Sequence, residues 1–149
     1  MSEEEFKTSI RASMDKNNPG KIVIIETGIK NLPKIYVDDE HEEPDKMLGP
    51  DPSRLLTSAI VGCLSASYVY CMQKKNLNFD RYEVEADYIG ERNEEGLWRV
   101  KEINIKLKPD SDDENIKKRI KQCSKIFERT CTVTESVRAG IKVNVDIDI

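Results

Sequence analysis

Gly49-Pro50-Asp51-Pro52-Ser53-Arg54-Leu55-Leu56-Thr57-Ser58-Ala59-Ile60-Val61-Gly62-Cys63-Leu64-Ser65 is the stretch on which the fold turns. A glycine and two prolines break the chain, and a helix-patterned run follows at once. Pro52 or Ser53 starts this helix, since a first-turn proline lacks only an N–H that would go unpaired there anyway. The pattern continues to about Lys75, with Leu56, Ile60, Leu64 and Cys71 on one face and Cys63 on its flank. Leu55 to Gln73 carries no charge over nineteen residues, near the length that spans a bilayer. Thr57, Ser58, Gly62, Ser65 and Ser67 interrupt it, however, and no second apolar run accompanies it. A central helix wrapped by other elements of a soluble domain is the expectation, with no membrane contact.

On the N-terminal side, residues 38–50 are acidic and contain Pro44, Gly49 and Pro50, the composition of a loop. Ile22-Val23-Ile24-Ile25 and Lys34-Ile35-Tyr36-Val37 read as strands. The first twenty residues are polar and end in the turn signal Asn17-Asn18-Pro19-Gly20. On the C-terminal side, Tyr82, Val84, Ala86 and Tyr88 alternate with acidic residues, and Ile103, Ile105 and Leu107 alternate with polar ones. That is the period of half-buried strands. The polar segment Gly90 to Gly96 suits the hairpin loop between them.

Ser111 and Glu114 form a capping-box pattern ahead of a helix with the apolar stripe Ile116, Ile120, Cys123 and Phe127. Thr132 and Glu135 form a second such pattern, and Gly140 can end that short helix. Val143, Val145, Ile147 and Ile149 alternate with polar residues as a closing strand. This order predicts an α+β fold with antiparallel sheet, and no repeat or linker divides residues 1–149 into more than one domain.

A chain of 149 residues is long enough to bury a core. Its formal charge of −4 supplies no basic footprint, so nucleic acid is not expected as a partner. Four cysteines occur, at 63, 71, 123 and 131, without a CxxC pair. The single histidine, His41, lies in the acidic loop, so neither a metal site nor a cofactor is expected. Met1-Ser2-Glu3-Glu4-Glu5 is unlike a secretion signal. The expected compartment is therefore the cytoplasm, with thiols mostly reduced and any disulfide transient or functional.

Cys123, on an apolar stripe, reads as a small core hydrophobe. Cys71 reads likewise, with a role as a spare resolving thiol left open. Cys131 lies just outside a helix N-terminus, where the macrodipole favours thiolate; the bland reading is an incidental loop cysteine. Cys63 lies about 15 Å from the start of its own helix and gains little from that dipole. In apolar surroundings its pKa rises, so it is either core or a nucleophile with a partner from elsewhere.

Met47 to Ser67 resembles a motif of the OsmC/Ohr family of thiol peroxidases: a Gly-Pro turn, a Pro-anchored helix start, Leu-Leu, small residues, then Gly62-Cys63. Cys131, Val133, Thr134 and Ser136 match that family's second motif, with Thr132 in place of its proline. The likeness covers roughly residues 47–149. It implies an OsmC-like α+β fold, antiparallel sheets wrapped around a long cysteine-bearing helix, assembled as an intertwined homodimer. A charge-free run as long as Leu55 to Met72, too apolar for one small domain to cover, agrees with that dimer. The likeness also implies reduction of organic hydroperoxides, with Cys63 peroxidatic, Cys131 resolving and an external dithiol as reductant.

Two departures accompany the likeness. Ser53 stands where the family's peroxidases have a glutamate, and no arginine lies between Ala12 and Ser53 to match the one they draw from N-terminal strands. Arg54 projects from the side of the helix opposite Cys63, about 13.5 Å away along the axis, and so reaches it only across a dimer interface. Arg129 and Arg138 flank the second motif and are the better candidates for a cation near the thiols. The alternative reading is a catalytically weak homodimeric binding module of the same fold, holding a small apolar ligand at the dimer interface.

Overall fold

A computed structural model describes residues 6–18, 20, 22–39 and 43–149. The chain divides into two compact units, Met1–Leu55 and Leu56–Ile149. His41 and Pro19, on which parts of the sequence reading fell, lie outside the described residues.

In the first unit, β1 (Arg11–Met14), β2 (Ile22–Glu26) and β3 (Ile35–Asp38) form an antiparallel sheet in that order. β2 and β3 fall where the β-branched runs place them. β1 lies in the segment read only as polar, and pairs Arg11 with Glu26 and Met14 with Val23. All four of its residues are exposed, so no apolar alternation announces it; main-chain pairing alone makes the strand. The turn joining it to β2 is organised by Asp15, whose carboxylate accepts the Asn17 N–H at 3.1 Å and the Asn18 amide at 2.8 Å.

The approach to the long helix is fixed by contacts that use small residues. Gly49 passes so close to Tyr36 that a Cβ would lie 1.7 Å from the Tyr36 carbonyl oxygen. Beside it, the Leu48 N–H donates to the buried Asp38 carboxylate at 3.0 Å. α1 (Pro52–Gln73) then begins, with Asp51 accepting the Arg54 N–H at 2.9 Å as an N-cap does.

In the second unit, α1 buries Ile60, Leu64, Tyr68, Cys71 and Met72, with Cys63 half-buried on its flank, while Leu56 stays 38% exposed. β4 (Arg81–Arg92) and β5 (Trp98–Asp110) form a long antiparallel hairpin. Its inward row, Tyr82, Val84, Ala86 and Tyr88 facing Ile103, Ile105 and Leu107, is the alternation seen in the sequence. The strands continue past Gly90 through a bulge at Ile89/Gly90, so the loop is shorter than Gly90 to Gly96. Asn93 organises it, its side chain accepting the Glu95 and Leu97 N–H groups.

α2 (Glu114–Cys123) is capped by Asp113 rather than Ser111. Asp113 accepts the Asn115 and Ile116 N–H groups at 2.7 and 3.0 Å. The Ser111 hydroxyl instead donates to Asp80 at 2.5 Å and accepts the Asp113 N–H. α2 stops at Cys123, and Phe127 lies in a 3₁₀ turn, Phe127–Thr130. α3 (Thr132–Ala139) follows, closed by Gly140 at φ 76°, the left-handed conformation a glycine adopts without strain.

Tyr68 ties these pieces together. It stacks on Phe127 at 4.4 Å, meets Phe79 edge-on at 5.1 Å, and donates its hydroxyl to the Ile120 carbonyl at 3.1 Å. By length and composition α1 matches a membrane span, but its buried face and its bonds to α2 make it a core helix.

Two expectations are corrected. Residues 143–149 form no strand. A strand needs a neighbour to satisfy its N–H and C=O groups, and among the described residues these find none: Val143, Val145, Ile147 and Ile149 are exposed. Cys71 and Cys123 are not separate packed thiols but a disulfide, with Cα atoms 5.8 Å apart and 52 residues between them. Packing of α2 across the end of α1 brings the two sulfurs together, and no local pattern encodes that approach.

Candidate redox site

Cys63 and Cys131 are the two free cysteines. Cys63 sits in the middle of α1; Cys131, 0% exposed, is the N-cap residue of α3. Its position just outside a helix start is as the sequence indicates. The second unit places both sulfurs in one site, where the Val133 N–H donates to Cys63 Sγ at 3.5 Å and each sulfur shifts the acidity of the other. Cys131 Sγ also lies 2.9 Å from the Thr134 hydroxyl.

These surroundings pull the two thiols apart in acidity. Burial pushes the Cys63 thiol up, and the Cys131 sulfur, as hydrogen-bond partner and as charge, pushes it further; the N–H groups of Val133 and Thr132 act in the opposite direction. Burial also acts to raise Cys131, but donors outweigh it: the Thr134 hydroxyl, the Cys63 thiol, the Thr134 N–H and the Ser67 hydroxyl together hold it below the ordinary thiol value. Cys131 therefore ionises first, with Cys63 donating its S–H to the resulting thiolate.

The arginines considered from the sequence are engaged elsewhere or exposed. Arg54 forms an ion pair with Asp51. Arg138 binds Glu128 at 2.9 Å and Glu135 at 2.6 Å. Arg129 is exposed in the 3₁₀ turn. Among the described residues the groups acting on the two sulfurs are hydroxyls, N–H groups and each other.

Two residues of the site went unremarked as participants in the sequence reading. Ser67 follows Cys63 by four positions, one helical turn along the same face, which is the signal that could have found it. Thr134 belongs to the second motif but carried no role; its burial, 6% exposed, and its contact with Cys131 supply one. A second hydroxyl pair lies nearby, Tyr82 donating to Ser65 at 3.0 Å.

A cavity of about 290 Å³ adjoins the site, lined by α1, β5 and α3, mostly with apolar side chains such as Leu56, Ile60, Ile103 and Val137 but also with Lys101, Glu102 and Arg138. Thr134 is part of its lining, which connects it to Cys131. Among the described residues no group of three or more histidine, cysteine, aspartate or glutamate side chains is placed to hold a metal ion.

The model of the family described as OsmC-like protein matches residues 41–146. An OsmC-like protein from Mycoplasma pneumoniae has the same fold, with a TM-score of 0.71 at 17% identity over 97% of this chain and 98% of that one. The organic hydroperoxide resistance protein OhrB of Bacillus subtilis gives 0.64 at 12% identity, over 91% and 93%. An organic hydroperoxide resistance protein from Elizabethkingia anophelis gives 0.55 at 14%, over 95% and 94%. A search of curated proteins finds no match.

Proposed function

The chain belongs to the OsmC-like protein family, and from that membership we propose that it is a thiol-dependent redox enzyme reducing organic hydroperoxides through Cys63 and Cys131. The observation that carries this reading is the pairing of the cysteines. Of four thiols, two are spent on each other in a buried disulfide, and the other two, 68 positions apart in sequence, meet at the start of α3 beside a largely apolar cavity.

The chemistry follows from that pairing. Cys63 passes its proton to the Cys131 thiolate as its sulfur attacks the distal peroxide oxygen. The S–O bond forms, the O–O bond breaks, and the alkoxide leaves and takes up a proton as alcohol. Cys131 then displaces hydroxide from the Cys63 sulfenic acid, giving a disulfide and water. An external dithiol returns two electrons by exchange, leaving as its own disulfide. The apolar cavity suits the organic part of such a peroxide.

In this reading the protein works in the cytoplasm as a homodimer. Residues 143–149 keep strand alternation and stay exposed, with no neighbouring strand among the described residues, and a second copy would supply one.

The test is hydroperoxide consumption with a dithiol reductant. Cys63→Ser should abolish it, and Cys131→Ser should leave one trappable sulfenic acid per chain. Turnover unchanged in Cys63→Ser would refute the reading. The catalytically weak binding module is the second reading, favoured by the raised Cys63 pKa together with the cavity. It requires that Cys63→Ser bind an apolar fluorescent probe as wild type does while neither protein turns over peroxide.

A further inference from the structure

Cys63 has to ionise in a half-buried position, without a cation among the groups acting on it, and far from the start of its own helix. What reaches it comes from another helix. The first N–H groups of any helix have no acceptor within it, and they form the positive end of its dipole. In α3 these belong to Thr132 and Val133. Cys131 takes an extended conformation, φ −81° and ψ 96°, so the helix begins immediately beside the α1 thiol. The Val133 N–H donates to Cys63 Sγ at 3.5 Å, and the Thr132 N–H favours the ionised form of the same sulfur.

The titratable groups around Cys63 are few. Cys131 faces it from the α3 N-cap and opposes its ionisation. Tyr82 of β4 gives its hydroxyl to Ser65, and Arg138 of α3 is held by Glu128 and Glu135.

We propose that the main-chain N–H groups of Thr132 and Val133 form the cradle that holds Cys63 as thiolate, so that the α3 N-terminus activates this thiol. Position 132 then acts through its backbone, not its side chain. The catalytic consequence rests on the peroxidase reading, but the cradle itself is a property of the thiol and is measured without peroxide.

The experiment compares Thr132→Pro, which deletes one N–H, with Thr132→Ala, which keeps it. Both are made in a Cys131→Ser background, where serine suits the N-cap and Cys63 is the remaining free thiol. Proline is well tolerated at a first helical position, and the extended backbone of residue 131 is the conformation a residue before proline prefers. The readout is the pH dependence of Cys63 alkylation by iodoacetamide. The alanine variant should titrate as its parent does. The proline variant should titrate at higher pH, by about one unit at most, having lost an N–H that favours the thiolate. Coincident profiles for the two variants would overturn the proposal.

Should the proline variant fail to fold, the amide resonances decide it. In the Cys131→Ser protein with Thr132 intact, the Thr132 and Val133 amide protons should shift with the same midpoint as Cys63 alkylation; resonances that stay fixed through that range would overturn the proposal. A shifted thiol in a protein inert toward peroxide would uphold the cradle and refute the peroxidase.

Discussion

Cys131 is the more shielded and the more acidic of the two free thiols, which suits it to leave rather than to be attacked. In thiol–disulfide exchange the departing sulfur leaves faster as its pKa falls. In the proposed cycle an incoming dithiol attacks Cys63, the half-buried partner, and expels Cys131 as a thiolate toward the hydroxyls of Thr134 and Ser67. Thr134→Val keeps the shape and removes the hydroxyl. Its loss should raise the Cys131 pKa, moving Cys131 alkylation to higher pH by about one unit and slowing reduction of the Cys63–Cys131 disulfide about threefold. A Cys131 profile identical to wild type would show that the 2.9 Å contact does nothing for the thiolate. The opposite sign applies to the partner: Cys131→Ser removes the charge and hydrogen bond that push Cys63 up, so Cys63 alkylation should shift to lower pH.

Between elements, the junction of the C-terminal part of α1 with α2 is tied by specific bonds. The Cys71–Cys123 disulfide, the Tyr68 hydroxyl on Ile120, and the Arg119 guanidinium on the Cys71 carbonyl at 2.5 Å all cross it. Cys71 is 6% exposed and Cys123 0%, so a reductant has little access to either sulfur. That shielding slows thiol exchange at this bond and sets it apart from the Cys63–Cys131 pair, of which Cys63 is only half-buried. Closing a loop of 52 residues removes unfolded-state entropy worth about 4 kcal/mol in the chain-entropy model. Replacing both cysteines by serine should lower stability by about that amount in denaturant unfolding without reductant, and leave Cys63 and Cys131 alkylation unchanged. Thiol counting in denatured, unreduced protein should find two free thiols per chain. Four would contradict the structure.

For the whole molecule the open question is assembly. A row of alternating apolar residues ends the chain exposed, Val145 82% and Ile147 74%, and Leu97 and Trp98 are exposed near the hairpin tip. Alternation of this kind serves a strand with one buried face, and the described residues supply no such neighbour to residues 143–149. The expected outcome is an obligate homodimer burying more than roughly 2,000 Å². Sedimentation should show dimer at low micromolar concentration, and truncation after Gly140 should yield monomer or unfolded chain. A full-length protein that stays folded and monomeric would overturn this.

The sequence by itself determined the elements whose causes are local. Pro52 and the uncharged run after it make α1, the alternation from Tyr82 and from Ile103 makes the hairpin, and Gly140 stops α3. In each, propensity, capping or period acts over a few residues and needs no distant partner. It also singled out Cys63 and Cys131, because their motifs are ordered along the chain. Tertiary structure alone decided which thiols meet. The Cys71–Cys123 bond and the turn of the α3 N–H groups toward Cys63 depend on how α2 and α3 pack against α1, across 52 and 70 residues of chain. Strand formation divides the same way. β1, exposed along its length, is a strand because β2 lies beside it, while residues 143–149 carry the strand pattern and are none, since hydrogen bonding to a neighbouring chain segment is what makes a strand.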